Sequence, residues 1–359
     1  MINWQQELSK DTKVKVVGCD MDGIARGKIM SVEKFLKIQS SGFGFCDVVF
    51  GWDCQDKVYT TQTNTSFVDI LALPDLSTYR RLPWESNIPF FLLDFYDPAS
   101  KSLLSFAPRS LLKSVSAQLH NKHALTAMCG MEYEWYNFKE DPESIQASKG
   151  VGLKPLTPGM FGYSITRPLL YQSFFEQIYD HCRAFGIPIE GIHTETGPGV
   201  YEVALEYADA LTLADRSHLF KTCVKQIASL HGITSCFMAK PHPNLPGCSG
   251  HIHFSLRSKE GKNAFEQTKD GVPCETMKKC LAGILKGLPS IMAIFGPTIN
   301  SYKRLVENYW APVTVSYGFE NRTTALRIIA PPTCEPSATR IEVRVPGADG
   351  NFYGCLHAS

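Results

Sequence analysis

The sequence predicts an α+β protein in which a small β-rich region precedes a larger region of mixed helices and strands. Two observations carry this. Up to FLLDFYD the chain reads as short strand-like runs, VKVVGCDM, RGKIM, CDVVFGWD and FLLDFYD, separated by Gly- and Pro-containing turns. From SLLSFAPRSLLKSV onward apolar residues recur at helical spacing, and Pro108 stands just ahead of the first helix. The expected division is 1–105 and 106–359.

The elements follow in order. RSLLKSVSAQLHNKH is amphipathic at helical spacing, and AMCGMEYEWYNF is a strand. LLYQSFFEQIYDHCRAFGI is a helix ended by Gly186, and the next strand runs into HTETGPGVYE. ADRSHLFKTCVKQIASLHGI is a further helix with its stop at Gly232; HIHFSL, TALRII and TRIEVRV are strands.

Composition narrows the function. The 359 residues, 44% hydrophobic and 20% charged, are enough for a sizeable buried core. Lys+Arg number 36 and Asp+Glu 35, so no basic excess points to nucleic acid or to an anionic membrane surface. No run approaches the roughly 18 apolar residues of a membrane span. The opening MINWQQELSKDTKVKVV carries charges where a signal peptide has an apolar core. Twelve cysteines lie singly with no CxxC pair, which points away from zinc and from redox dithiols. A reduced, cytoplasmic protein with free thiols is expected.

Three strand-like segments place functional side chains at i and i+2: Glu132 and Glu134 in MEYEWY, His251 and His253 in HIHFSL, and Arg340, Glu342 and Arg344 in TRIEVRV. Side chains alternate faces along a strand, so each set projects to one side. A fourth segment, HTETGPGVYE, sets Glu195 and Glu202 on either side of a Gly-Pro-Gly reversal. Each has a simpler reading alone: a solvated face, a packed histidine pair, a salt-bridge ladder, a turn. Together they assemble the oxygen and nitrogen donors that suit Mg²⁺ or Mn²⁺ bridging a polyphosphate. Arg304, Arg322 and Arg327 add planar donors for carboxylate and phosphate. Acids and arginines in one site meet the electrostatic requirement of phosphoryl transfer. Two features are set aside. GIARGK is one residue short of a phosphate loop and is followed by Ile29. Cys248 has no nearby second cysteine and reads as a packed thiol.

In this order the motifs resemble the glutamine synthetase family, in its bacterial-type and glutamine-synthetase-like branch. CDMDGIARGK, GWDCQD, LPDLSTYRRLPW and FYDPASKSLLSFAPRSLLK are similar to its amino-terminal part. MEYEW, EGIHTETGPGVYE, GHIHFSL, NSYKRL, APV…ENRTTALRI and RIEVRVPGADGNFY are similar to its catalytic motifs. The resemblance implies a β-grasp amino-terminal domain, then a catalytic domain with a curved antiparallel sheet and flanking helices. It implies a homo-oligomeric ring with sites between subunits.

It also implies two metals per site, Mg²⁺ or Mn²⁺: one held by Glu134, Glu195 and Glu202, the other by Glu132, His251 and Glu342. ATP contacts fall on Glu190, His253, Ser255, Arg327 and Arg340. The amino-acid carboxylates and transferred phosphate meet Gly247, Arg304, Arg322 and Arg344, and Asp53 reaches a neighbour's site near the incoming amine. The implied reaction is ATP-dependent ligation of glutamate to ammonium or an amine through γ-glutamyl phosphate. Phosphorylation creates a good leaving group, and excluding water protects the acyl phosphate.

Three departures bear on these expectations. Trp310, in NYWAP, stands where ammonia-using members carry Glu, which favours a larger or more apolar amine. Pro246 stands where a family Asn contacts the amino acid, and Val200 replaces a polar residue. NFYGCLHAS falls where the family's carboxy-terminal helices begin, so a shortened chain with exposed apolar surface is expected. The competing reading is a catalytically silent oligomeric structural relative.

Overall fold

A computed structural model describes residues 2–59 and 66–358. In chain order the first part comprises α1 (Trp4–Glu7), β1 (Lys13–Cys19), β2 (Ala25–Ser31), α2 (Val32–Ile38), β3 (Phe43–Cys46), β4 (Asp69–Leu82) and β5 (Ile88–Tyr96). The strands form one mixed sheet in the order β2-β1-β5-β4-β3, with β1 and β5 parallel at its centre. This is the small β-rich unit expected. CDVVFGWD differs from expectation: β3 ends at Cys46, and Asp47–Phe50 form a 3-10 turn.

Strand alternation buries both faces of this sheet. Val14 and Val16 on β1 and Phe91, Leu93 and Phe95 on β5 share a core with Phe35 and Ile38 of α2. The alternate residues Val17, Cys19, Phe90 and Leu92 belong to the core of the larger part. Phe35 stacks on Phe91 at 4.6 Å, whereas Phe90 meets Phe185 edge-on at 5.3 Å across the junction.

The second part runs α3 (Pro108–His123), β6 (Leu125–Phe138), α4 (Pro142–Ser148), α5 (Gln172–Ala184), β7 (Ile189–Thr194), β8 (Val200–Asp209), α6 (Ala210–Leu230), β9 (Thr234–Cys236), β10 (Gly250–Ser258), α7 (Glu275–Phe295), α8 (Ile299–Tyr302), β11 (Tyr317–Phe319), β12 (Leu326–Ile329), β13 (Arg340–Val343) and α9 (Phe352–Ala358). Helices α5 and α6 stop before Gly186 (φ 80°) and Gly232 (φ 64°), as expected, because glycine reaches the left-handed region at little cost. The strongly curled eight-stranded sheet has the order β11-β12-β13-β10-β6-β8-β7, with β9 beside β6. It is antiparallel apart from β11 and β12, which pair in parallel.

A buried charge cluster joins the two parts. Arg109, in the first turn of α3, reaches Asp94 on β5 at 2.5 Å, Asp75 on β4 at 3.0 Å and Asp215 on α6 at 2.8 Å. Lys113, one turn on, bonds Asp75 and Asp94, and the Tyr353 hydroxyl on α9 donates to Asp215. Phe161, Tyr163, Ile165 and Leu169, ahead of α5, are exposed apolar side chains.

Candidate active site

The i, i+2 pairs meet because of strand register. Glu132 on β6 lies opposite His251 on β10, and His253 lies opposite Glu342 on β13. Glu134 on β6 faces Glu202 on β8, which in turn faces His193 on β7. Arg327 on β12 faces Glu342. Six neighbouring strands thus carry the ionisable side chains across one stretch of sheet.

Two groups of donors form there. In the first, ligand atoms of His193, Glu195 and Glu202 lie within 4.8 Å of one another. Glu195 is brought in by the Gly-Pro-Gly turn, closed by its own N–H to Val200 C=O at 2.9 Å. The turn requires glycine: a Cβ on Gly197 would lie 2.4 Å from Val200, and Gly199 has φ 73° with backbone 2.7 Å from such a Cβ. Glu134 stands beside this group, accepting the Ser249 N–H at 2.6 Å. Burial pushes its carboxyl up against that bond, and the Glu195 charge adds to the rise. Burial also pushes Glu202 up to about 7, with the charges of Glu134 and Glu132 adding and His193 opposing. Contact with Glu202 raises His193 to about 9.

In the second group, Glu132, His253 and Glu342 offer atoms within 4.8 Å, and His251 Nδ1 lies 3.3 Å from Glu132 and 3.4 Å from Glu342. The roles of the two histidines separate by hydrogen bonding. His253 Nδ1 accepts from Arg340 Nε at 3.0 Å, so its Nε2 carries the proton and lies 3.0 Å from Glu132 Oε1. His251 keeps a nitrogen turned to both carboxylates. Burial pushes Glu132 up, but hydrogen bonds from His251 and His253 outweigh it and hold the carboxyl well below its ordinary range. Glu342 is likewise held down, against burial, by His251, His253 and Arg344.

Beside the second group opens a cavity of about 610 Å³, within the usual range for a small-molecule site. Glu132, Glu190, His253, Ser255 and Arg340 line it. Four of the five expected nucleotide contacts therefore share one cavity. Arg327 does not line it; this arginine is held by Glu342 at 2.9 Å and Glu320 at 2.6 Å.

Arg344 ties the remaining pieces. It bonds the Glu342 carboxylate, the Arg322 carbonyl at 3.0 Å and the Trp310 carbonyl at 3.3 Å. The Trp310 side chain is 58% exposed and its φ is 53°. Arg322 is exposed. Arg304 is buried against the carbonyls of Arg344, Val345 and Pro346. Gly247 allows this approach, since a Cβ there would lie 2.4 Å from the Ala239 carbonyl and 2.5 Å from Arg304 Cγ. Gly247→Ala is therefore expected to cost about 1–3 kcal/mol by overpacking and to displace Arg304; a thermal melt and the KM for the acid substrate check both. Pro246 offers its carbonyl to the Tyr136 hydroxyl at 2.7 Å, and Val200 is core. Asp53 belongs to neither group. It sits on an exposed loop, accepting from Gln55 N at 2.8 Å and Lys57 N at 3.0 Å.

The sequence reading missed His193. Its signal was present in HTE, where His193 and Glu195 repeat the i, i+2 spacing. The twelve cysteines are free, and Cys248 is a fully buried thiol pushed up chiefly by burial.

Residues 105–359 match the family model described as glutamine synthetase, catalytic domain. The chain belongs to the glutamine synthetase family. It is 46% identical to type-1 glutamine synthetase 2 of Dictyostelium discoideum, over 99% of this chain and 68% of that protein. It is 34% identical to glutamate–isopropylamine ligase of a Pseudomonas species, over 96% of this chain and 76% of that one. Among solved structures, a GmaS/ADP complex superposes with a TM-score of 0.84 at 27% identity, covering 98% of this chain and 78% of that chain. The α+β family fold expected from the motifs is thereby established.

Proposed function

We propose that this member of the glutamine synthetase family is an ATP- and Mg²⁺-dependent ligase that joins the γ-carboxylate of glutamate to an amine. The observation that carries the reading is the pair of donor groups on neighbouring strands of one sheet, with the cavity of Glu190, Ser255 and Arg340 alongside. The donors fit Mg²⁺ or Mn²⁺ by type: carboxylate oxygens and imidazole nitrogens, with no thiolate. Glu134, Glu195 and Glu202 would hold one ion and Glu132, His251 and Glu342 the other; the ions would neutralise phosphate charge.

The chain's own groups do the rest. Glu190, His253, Ser255 and Arg340 seat the nucleotide, and Arg327, held beside them by Glu342 and Glu320, would add a planar donor for it. Arg304, Arg322, Arg344 and the Gly247 backbone receive the amino-acid carboxylates and the transferred phosphoryl group. The glutamate carboxylate attacks the γ-phosphorus and ADP leaves. The amine nitrogen then attacks the acyl carbon, and phosphate leaves as the nitrogen loses a proton. Two proposed domains, 1–105 and 106–359, assemble with copies of themselves so that Asp53 of each subunit serves its neighbour near the amine. The working compartment is the cytoplasm.

The test is phosphate release from ATP, Mg²⁺ and glutamate across ammonium, methylamine, isopropylamine, ethanolamine and polyamines. Amine-dependent release is the expected result. Nucleotide binding without release for any amine would make the protein a silent structural relative. Trp310 supplies an indole where a carboxylate would favour ammonium, so Trp310→Glu is expected to shift kcat/KM toward ammonium by about tenfold or more. An unchanged amine ranking removes Trp310 from the selectivity argument.

A further inference from the structure

We propose that His193 is itself a metal ligand, its Nε2 joining Glu195 and Glu202 on the first cation. The inference rests on the two-cation reading above and changes the composition of one site. Three independent placements support it. Register sets His193 on β7 opposite Glu202 on β8, while the i, i+2 spacing sets it on the same side of the strand as Glu195. Nε2 lies 3.5 Å from Glu202 Oε1, and donors from all three residues lie within 4.8 Å. Donors on one ion with bonds of about 2.1 Å are at most about 4.2 Å apart, so closing the group requires only a small inward movement.

The second placement concerns the other ring nitrogen. His193 Nδ1 lies 3.0 Å from the Thr194 carbonyl. An N–H donated there leaves Nε2, facing Glu202, as the nitrogen that would give up its proton to a cation, the arrangement usual for metal-bound histidines. The third concerns the ring plane. Tyr163 stacks on His193 at 4.5 Å and 26°. The Tyr163 segment is pinned by Thr194, whose carbonyl accepts Tyr163 N–H at 2.8 Å and whose hydroxyl accepts Ser164 N–H at 2.7 Å and donates to Phe161 C=O at 2.7 Å. One residue, Thr194, thus sets both the tautomer and the cover of the ring. Glu134, the third acid expected here, is outside the tight group and already accepts the Ser249 N–H.

A nitrogen ligand makes the first site a mixed one and tilts it toward Mn²⁺ over Mg²⁺. The test uses the whole chain with Mn²⁺ alone: stoichiometry and affinity by calorimetry, and directly bound ¹⁴N by electron spin-echo modulation. Two bound Mn²⁺ are expected, with ¹⁴N coupling that persists in the double variant His251→Asn, His253→Asn, where His193 is the one imidazole left in the two donor groups. His193→Gln places an amide oxygen near the position of Nε2. It is expected to halve the ¹⁴N modulation in the otherwise unaltered chain and to weaken one Mn²⁺ site by about 10–100-fold. That arm stands even if the double variant does not fold. Two Mn²⁺ bound with ¹⁴N modulation unchanged in His193→Gln overturns the ligand assignment and leaves His193 a charge partner of Glu202. Binding of no Mn²⁺ by the unaltered protein overturns the two-cation reading and this proposal together.

Discussion

Glu342→Gln is expected to abolish Mg²⁺-dependent nucleotide binding and to lower kcat/KM by at least about 10³-fold. Glu342 is 1% exposed and receives Arg327 at 2.9 Å, Arg344, and His251 at 3.4 Å. Glutamine keeps the volume and one acceptor, so the side chain still fits between β10 and β12. The negative charge is lost. Two arginines then face a neutral amide, and a divalent cation entering the group meets an uncompensated positive field. Glu320 offers the contrast. It holds the outer side of Arg327 at 2.6 Å and belongs to neither donor group. Glu320→Gln is expected to cost about tenfold or less, through looser placement of Arg327. Calorimetry with a non-hydrolysable ATP analogue, with and without Mg²⁺, separates the cases. Unchanged metal-dependent binding in both Glu342→Gln and Glu134→Gln would rule out the two-cation assignment.

Much of this site was legible in the sequence because strand alternation has period two. Glu132 with Glu134, His251 with His253 and Arg340 with Glu342 could each be placed on one face without knowing the fold. Register could not be read. That His251 lies opposite Glu132, rather than one rung away, is decided by pairing between residues more than a hundred positions apart. The same ignorance hid His193, whose importance depends on Glu202 in the next strand.

Secondary structure failed where local signals conflict with long-range packing. Strand β4 carries Pro74 and the polar residues Asp75, Ser77 and Thr78, yet it pairs with β5 through a bulge between Asp75 and Arg80, where Thr78 Oγ1 accepts the Leu92 N–H at 2.9 Å. Helix α7 contains Pro289 and two glycines and is held by burying Met277, Leu281, Ile284, Leu288 and Phe295. Loop residues were the least legible. Nothing local tells that Arg344 gathers the carbonyls of Trp310 and Arg322.

Arg109→Met is expected to remove about 3–5 kcal/mol of stability, the usual cost of stranding buried charge, and to lower the melting temperature by roughly 10 °C. A cation in the first turn of α3 is opposed by the helix dipole, so Arg109 is held there by its carboxylates. Asp94 from β5, Asp75 from β4 and Asp215 from α6 converge on one guanidinium. Methionine fills the volume and leaves three acids to Lys113 and the Tyr353 hydroxyl. Burial pushes Asp75 up, but the Ser77 hydroxyl, Lys113 and Arg109 outweigh it and hold the carboxyl well below its ordinary range. A depressed folded value stabilises above the unfolded carboxyl pKa of about 4 and is lost as pH falls through the folded one. Removing Arg109 raises the folded value, so the acid-unfolding midpoint should move upward as well. If stranded charge is the cause, adding Asp215→Asn to Arg109→Met recovers part of the loss, and Arg109→Lys falls between, since an ammonium cannot span three carboxylates. A melting curve for Arg109→Met indistinguishable from the unaltered chain would assign the junction to apolar contacts such as Phe90 on Phe185 alone.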